Sequence, residues 1–494
     1  MSGQAGIKLF SFTGKMKVLH LSWMAFFITF AVWFNHAPLL AVIAKSLGLT
    51  NSEIKTLLIL NVALTIPARI IIGMLTDKYG PKITYSLLLA ICSIPCFMFA
   101  LADNFQQAAL ARFLLGFIGA GFVIGIRLVS EWFPANELGT AEGIYGGWGN
   151  FGSAAAAMSL PIIAVFISEH FGIEDGWRYA VALTGLLSLL FSVIFYMNIT
   201  DTPKGSTYFK PKKGGAMEVT SKSDFFLLIL MKLPMYGALA LLTWKLSPSG
   251  VSLLSEQTSL IAYVSLIILL VLEIKQTYKA SGHLFVEDVP EINQYKFKQV
   301  AVLNILYFAT FGSELAVISM LPLFFADVFS LDMVYAGMLA SLYAFMNLMS
   351  RPGGGWLSDK FGRKKTLLIL TAGLAAGYFT MSSIDSSWPL ALAVIAAMAC
   401  SFFVQAGEGA VFAAVPLIKR RLTGQIAGMT GAYGNVGAVV YLTVLSMVSY
   451  QEFFLVIAAT AVVGFITLLF MEEPRGTITE VREDGTVELI QVSH

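Results

Sequence analysis

Charge is what this sequence has least of. Of its 494 residues only 13% are Asp, Glu, Lys or Arg, about half the share of roughly 25% usual in soluble domains. Apolar runs of about 20 residues recur along most of the chain instead, which makes it a polytopic helical membrane protein. The net charge of +2, with no basic stripe, excludes a nucleic-acid binder. Cysteine is scarce too. Cys92, Cys96 and Cys400 all fall in apolar runs, and although the first two share a helical face, a metal site needs more ligands. They read as packing residues, and no metal or other cofactor is expected. A nucleophile–base pair and a phosphate loop are both missing, so an enzyme is not expected. Lys8, Lys15 and Lys17 precede a first apolar run too long for a signal-peptide core, so that run is expected to be a retained helix.

The runs fall into two sets of six, at about 18–43, 52–75, 82–102, 105–131, 139–168 and 177–199, then 298–327, 333–357, 365–384, 388–416, 423–448 and 451–471. Residues 200–297 lie between them, with lysines at Lys204, Lys210, Lys212, Lys213 and Lys222. Two further apolar runs, about 225–246 and 258–274, precede a polar stretch with Glu287, Asp288, Glu291, Lys296 and Lys298. Fourteen spans are therefore expected. The domains are 1–199, an N-terminal six-helix bundle; 200–297, a central segment with an inserted helix pair; 298–472, a second six-helix bundle; and 473–494, a tail. With 14 spans the Lys/Arg clusters, including Lys419–Arg421 and Arg475, fall on one side with both termini, which the positive-inside rule makes cytoplasmic.

Two elements repeat. Arg69 precedes Asp77 by eight residues and Arg351 precedes Asp359 by eight, each with a glycine four residues after the arginine (Gly73, Gly355) and another closing the turn (Gly80, Gly362). Eight helical residues raise each arginine ~12 Å above its Asp-Lys turn, near the middle of a hydrocarbon core ~30 Å thick. An arginine there costs roughly 2.5–3.5 kcal/mol, so two call for a reason. The second element is Gly146-Gly147-Trp148-Gly149-Asn150-Phe151-Gly152, matched by Gly431-Ala432-Tyr433-Gly434-Asn435-Val436-Gly437. The asparagines are 285 residues apart and the arginines 282, so the two halves are a parallel internal repeat. Such transporters hold substrate between the halves. The glycines let another helix approach closely, and Asn150 and Asn435 each offer an amide that packs between helices or meets a ligand.

Arg69 and Arg351 have no acidic residue within a turn, which favours a fixed anion site. Arg127, one turn before Glu131, reads as paired or snorkelling, and Arg112, opening the fourth span, as structural. A planar guanidinium suits a flat oxyanion. Aromatic residues crowd the first, seventh and tenth spans (Phe27, Phe30, Trp33, Phe34; Tyr307, Phe308, Phe311; Phe402, Phe403, Phe412). Most pack against lipid or core, and a subset including Phe34 and Phe311 is expected to stack on a small diffuse anion while Tyr307 offers its hydroxyl. Moving an anion into a negative-inside cell costs ~2.3 kcal/mol per 100 mV, so uptake needs protons or exchange. Glu314, Glu408 and His36 are the candidate proton carriers, each equally readable as a structural group.

The segments Gly73–Lys82 and Gly355–Lys364 resemble the loop motif of the major facilitator superfamily, and Arg112 matches its fourth-helix arginine. The two Gly-Asn segments resemble the paired signatures of the nitrate/nitrite porter family, as do Phe26–Pro38 and Tyr307–Ser313. The resemblance spans both halves. It implies an all-α major facilitator fold, with Gly73, Asp77, Gly80, Gly355, Asp359, Gly362 and Arg112 in the conformational gate. It also implies that Arg69 and Arg351 clamp nitrate or nitrite, ringed by Tyr307, Asn150 and Asn435, and that transport is by alternating access. The inserted pair resembles an insertion in cyanobacterial-type uptake members, favouring nitrate assimilation at the cytoplasmic membrane by a monomer embedded in the bilayer. Another small anion as cargo, or a sensor role, are the competing readings.

Overall fold

The computed structural model describes residues 7–211, 216–250, 252–286, 289–290, 294–331, 333–445, 447–474, 476–481 and 487–492. Lys212, Lys213, Glu287, Asp288, Glu291 and Arg475 lie outside the described residues. The first half runs through α1 (Gly14–Phe34), α2 (Leu40–Leu47), α3 (Asn51–Ala63), α4 (Thr65–Tyr79), α5 (Pro81–Ala100), α6 (Phe105–Leu115), α7 (Gly121–Trp132), α8 (Ala135–Phe171) and α9 (Gly176–Asn198). Then come α10 (Lys222–Leu246) and α11 (Glu256–Ser281). The second half follows as α12 (Phe297–Phe329), α13 (Met333–Phe345), α14 (Asn347–Phe361), α15 (Arg363–Ser382), α16 (Leu390–Phe412), α17 (Thr423–Leu445) and α18 (Tyr450–Leu468). The tail adds an antiparallel hairpin of β1 (Gly476–Val481) and β2 (Val487–Val492).

Several runs that read as single spans are broken. Pro67 has no N–H for the carbonyl of Ala63, and the second span divides at Leu64 into α3 and α4. The fourth passes through a 3₁₀ turn at Gly116–Ala120. A Cβ at Gly116 would lie 2.8 Å from the Asn61 carbonyl oxygen, and one at Gly119 2.8 Å from the Trp33 ring. Arg112 ties these interruptions together, donating to Asn35 Oδ1 (2.9 Å), to the carbonyl of Trp33 at the end of α1, and to Asn61 Oδ1. It bonds helix ends here and does not touch the Asp77 turn with which the family resemblance groups it as a gate residue.

Among the described residues, eleven helical segments are long and apolar enough to cross a membrane. The α13–α14 pair, α15 and α17 fall outside that set, so the count of fourteen is not met by this measure. The reasons are in the sequence: α14 carries Arg351, Gly353, Gly354, Gly355, Asp359 and Lys360, α15 opens on Arg363-Lys364-Lys365, and α17 is rich in glycine.

The repeat extends beyond the motifs. Gly80 (φ 93°) ends α4 and Gly362 (φ 94°) ends α14, a backbone region that glycine enters without strain. The helix after each is capped by an acid at the far end of its own half. Asp201, past α9, accepts from Lys82 N at 2.7 Å; Glu473, past α18, accepts from Arg363 N and Lys364 N, both at 2.7 Å. Asp201→Ala and Glu473→Ala should each cost about 1 kcal/mol, read as a lower Tm in detergent, and the two should add. An unchanged Tm in both would remove the caps from the account. The inserted helices stand at the side of the second half. α10 packs on α12 and α17, where the Tyr433 hydroxyl donates to the Met231 carbonyl at 2.6 Å, and α11 is tied to α10 by Lys232–Glu273 at 2.8 Å.

Candidate functional site

The two repeated motifs pack crosswise. The glycine-rich helix of each half lies on the arginine helix of the other. A Cβ on Gly146 of α8 would lie 2.6 Å from Arg351 Nε, one on Gly143 2.6 Å from the Arg351 carbonyl oxygen, and one on Gly147 2.5 Å from the Asn347 carbonyl oxygen. On the other side, a Cβ on Gly431 of α17 would lie 3.0 Å from Arg69 Cδ and one on Gly428 2.5 Å from the Arg69 carbonyl oxygen. The remaining glycines serve their own half. Gly149 and Gly152 press on Phe26 and Phe27 of α1, and Gly434 and Gly437 on Tyr307, Phe311 and Phe308 of α12. Helical spacing aims these four at a different neighbour from Gly146, Gly147 and Gly431, so of the seven repeated-motif glycines the latter three touch the arginine helices.

Both arginines are buried and meet at one aromatic ring. Arg69 Nη1 donates to the Gly431 carbonyl at 2.7 Å and Nε to the Gly119 carbonyl at 3.3 Å. Its guanidinium lies 5.0 Å from the Phe311 ring centre and 5.7 Å from that of Phe122. Arg351 lies 5.0 Å from the same Phe122 ring, with Nη1 on Glu408 at 2.5 Å and Nη2 donating to the Tyr307 hydroxyl at 3.0 Å. Phe412 stands edge-on to Phe122 at 4.5 Å and to Tyr307 at 4.8 Å, and Tyr307 stacks on Phe311 at 5.1 Å. The result is a buried aromatic box with two guanidinium groups in it, one from each half.

The asparagines lie one turn beyond the glycines that touch the arginines. Asn435 donates to the Gly431 carbonyl at 3.2 Å, sharing it with Arg69. The side-chain oxygens of Asn150 and Asn435 are buried with no hydrogen-bond partner. Phe34 belongs to a different stack, with Phe30 at 5.6 Å and Trp33 at 4.9 Å. Glu408 is not the free acid that spacing along the chain suggests: α16 delivers it to Arg351 as a counter-ion. Glu314 accepts from Asn347 (2.5 Å) and Gln405 (3.3 Å). His36 is buried beside Arg112 with neither ring nitrogen bonded, in a different cluster.

The Asp-Lys turns form a second layer, closed in this structure. Asp77 accepts from Gly424 N (2.9 Å) and Gln425 N (2.8 Å), at the start of α17. Asp359 accepts from Gly139 N (2.9 Å) and from Thr140 N and Oγ1 (2.7 and 2.8 Å) on α8. Arg127 joins the first of these, with Asp77 at 3.5 Å and Glu131 at 3.0 Å. It is paired as expected, but it is fully buried rather than snorkelling. Tyr208 and Phe209, from the segment after α9, cover it: Arg127 Nε donates to the Tyr208 hydroxyl (3.2 Å) and Nη2 to the Phe209 carbonyl (2.8 Å).

Sequence reasoning missed Phe122, the ring both arginines share, because a lone phenylalanine in an apolar helix carries no pattern. It also missed Glu142, a buried acid on α8 whose two oxygens have no partner. Its place one turn from Gly146, on the face that meets α14, was a usable signal.

Comparison with known proteins agrees with this architecture. Residues 22–282 and 303–492 match the Major Facilitator Superfamily. The chain is 47% identical over 520 residues to the "Nitrate/nitrite transporter NrtP" of a Picosynechococcus species, covering 97% of each chain. It is 45% identical to the protein of the same name from Nostoc punctiforme, again over 97% of each. Among solved structures, the human organic anion transporter MFSD10 aligns with a TM-score of 0.62 over 92% of this chain and 100% of that one. At 11% identity that likeness speaks to the fold alone. A family match over most of the chain and relatives 45–47% identical along nearly its whole length place this protein in the Major Facilitator Superfamily, within its nitrate/nitrite porter family.

Proposed function

We propose that this protein carries nitrate, and nitrite with it, across the cytoplasmic membrane by alternating access, for nitrate uptake and assimilation. The observation that carries the reading is the meeting of Arg69 and Arg351 at Phe122. Two buried like charges repel, and one carboxylate, Glu408, offsets only one of them. A small planar anion lying between them relieves that repulsion, and the guanidinium forks and aromatic walls fit it better than they fit a hydrated ion. The NrtP relatives are named for the same cargo. The free Oδ1 atoms of Asn150 and Asn435 are acceptors, so these amides turn their Nδ2 donors to the anion when it enters.

The reading includes fourteen crossings. The two six-helix sets occupy 1–199 and 298–472, α10 and α11 lie in 200–297, and both termini and the 473–494 tail are cytoplasmic. The closed Asp77 and Asp359 layer is then the inner gate. Uptake against a negative interior is driven by protons or by exchange for internal nitrite.

The test is uptake of labelled nitrate into proteoliposomes, with an imposed pH gradient in one set and internal nitrite in the other. Accumulation under either condition supports the reading, and none under both overturns it. Competition by formate, phosphate or a small dicarboxylate in place of nitrite would shift the cargo to another anion. Phe122→Leu keeps the bulk of the site and removes the shared ring. A cation–π contact is worth about 1–2 kcal/mol when desolvated, so KM for nitrate should rise roughly 10-fold. An unchanged KM would take Phe122 out of the site.

A further inference from the structure

Glu314 and Glu408 come from helices α12 and α16 and meet beside the arginine that the cargo needs. Asn347, one turn before Arg351 on α14, and Gln405, three residues before Glu408 on α16, hold Glu314 beside the Arg351–Glu408 pair. Each has one oxygen satisfied: Glu314 Oε1 by Asn347 and Gln405, Glu408 Oε2 by Arg351. Each has the other, Glu314 Oε2 and Glu408 Oε1, fully buried with no partner. Two ionised carboxylates in this arrangement would repel and leave two acceptors orphaned. One proton between them removes both penalties, the pattern of a carboxylic dyad.

We infer that Glu314 and Glu408 form a proton-binding dyad that shares one proton in the empty carrier and takes a second when the anion displaces Glu408 from Arg351. The inference rests on the anion-carrier reading and deepens it by naming how the cargo is coupled. The charged and titratable groups around the dyad are few. Arg351 on α14 and Arg69 on α4 are the cations, with Tyr307 on α12, Tyr343 on α13, Tyr378 on α15 and Tyr145 on α8. None of the tyrosines supplies a charge near neutrality, so the balance is set by two arginines and the dyad.

The bookkeeping of charge is simple. With one shared proton the empty site holds two positive charges and one negative. When a nitrate ion takes the place of the Glu408 carboxylate on Arg351 Nη1, that carboxylate loses its cation in a buried site. A proton from solvent then binds its free oxygen, no other bond forms or breaks, and the site returns to its former net charge. One proton thus travels with each nitrate. Coupling at that ratio is electroneutral, so a pH gradient drives uptake and a membrane potential alone does not.

The experiment needs no variant to begin. Nitrate is added to the purified, detergent-solubilised protein in weak buffer with a pH indicator, and nitrate binding is followed separately by calorimetry. The expected result is uptake of about one proton per nitrate bound. Binding with no proton uptake overturns the dyad and leaves the carrier reading intact, whereas failure to bind nitrate overturns the carrier reading and the dyad with it. In proteoliposomes, Glu314→Gln and Glu408→Gln should each lose pH-driven accumulation by at least about 10-fold, the protons taken up per nitrate bound should fall in the same variants, and a monodisperse detergent-solubilised peak shows that they are folded. Retention of full pH-driven uptake in both, or equal drive from a potential alone in the native protein, contradicts the inference.

Discussion

Arg69→Lys and Arg351→Lys should each lower nitrate uptake by about 100-fold or more while the protein stays in the membrane at its normal level. The change preserves charge, so loss of function would report geometry. Arg351 uses one nitrogen for Glu408 and another for Tyr307, and its guanidinium lies 5.0 Å from the Phe122 ring centre. Arg69 spans the Gly431 and Gly119 carbonyls while lying on Phe311. A lysine ammonium has no plane to stack and no fork to divide. A hydrogen bond to a charged group contributes about 1.5–3 kcal/mol net, so losing two at the site removes roughly 3 kcal/mol or more, and each 1.4 kcal/mol is tenfold. Initial rates of labelled nitrate uptake, normalised to membrane protein on a blot, check it. Near-normal rates in either variant would show that its arginine is there for packing.

Gly73→Val and Gly355→Val should cut transport about 10- to 100-fold through the gate, leaving the anion site itself intact. A Cβ at Gly355 would lie 1.9 Å from the Gly139 carbonyl oxygen, and one at Gly73 2.3 Å from that of Gly424. Both obstacles are backbone, which no side-chain rotation relieves, and overpacking of this kind costs about 1–3 kcal/mol or more. If alternating access opens the Asp77 and Asp359 layer, these contacts part with it, so the cost falls on the closed state and shifts the population toward opening. Nitrate binding by calorimetry should persist, and a single cysteine placed at Gln425 should become reactive to a polar thiol reagent in the Gly73→Val background. Normal turnover with no gain in labelling would mean that the layer does not need to close.

How much of this was legible before the coordinates depended on whether a signal was periodic. Arg69 with Asp77 and Arg351 with Asp359 could be read because each pair recurs at a fixed spacing. The Gly-Asn segments were legible for the same reason, and the shared offset of about 280 residues joined them into one repeat. What the repeat could not say is which partner each helix meets, and the crosswise packing of Gly146 on Arg351 and Gly431 on Arg69 is a property of the assembled halves. Phe122 and Glu408 were hard for a related reason. Their roles come from α7 and α16, helices whose packing brings distant residues to the arginines without leaving a trace in local sequence. Phe34 stacks with Phe30 and Trp33, and an aromatic-rich helix does not say in its sequence which of its rings turns toward the arginines. The helix breaks at Leu64 and Gly116 were half-visible in Pro67 and the glycine cluster, but a hydropathy run passes over them.

The account rests on an anion lying between two guanidinium groups, and the most direct measurement is a density map of the protein at saturating nitrate. A planar anion should appear between Arg69 and Arg351, against Phe122, with Glu408 drawn off Arg351 Nη1. Anion density elsewhere, or both arginines holding their present partners with nothing between them, would contradict it.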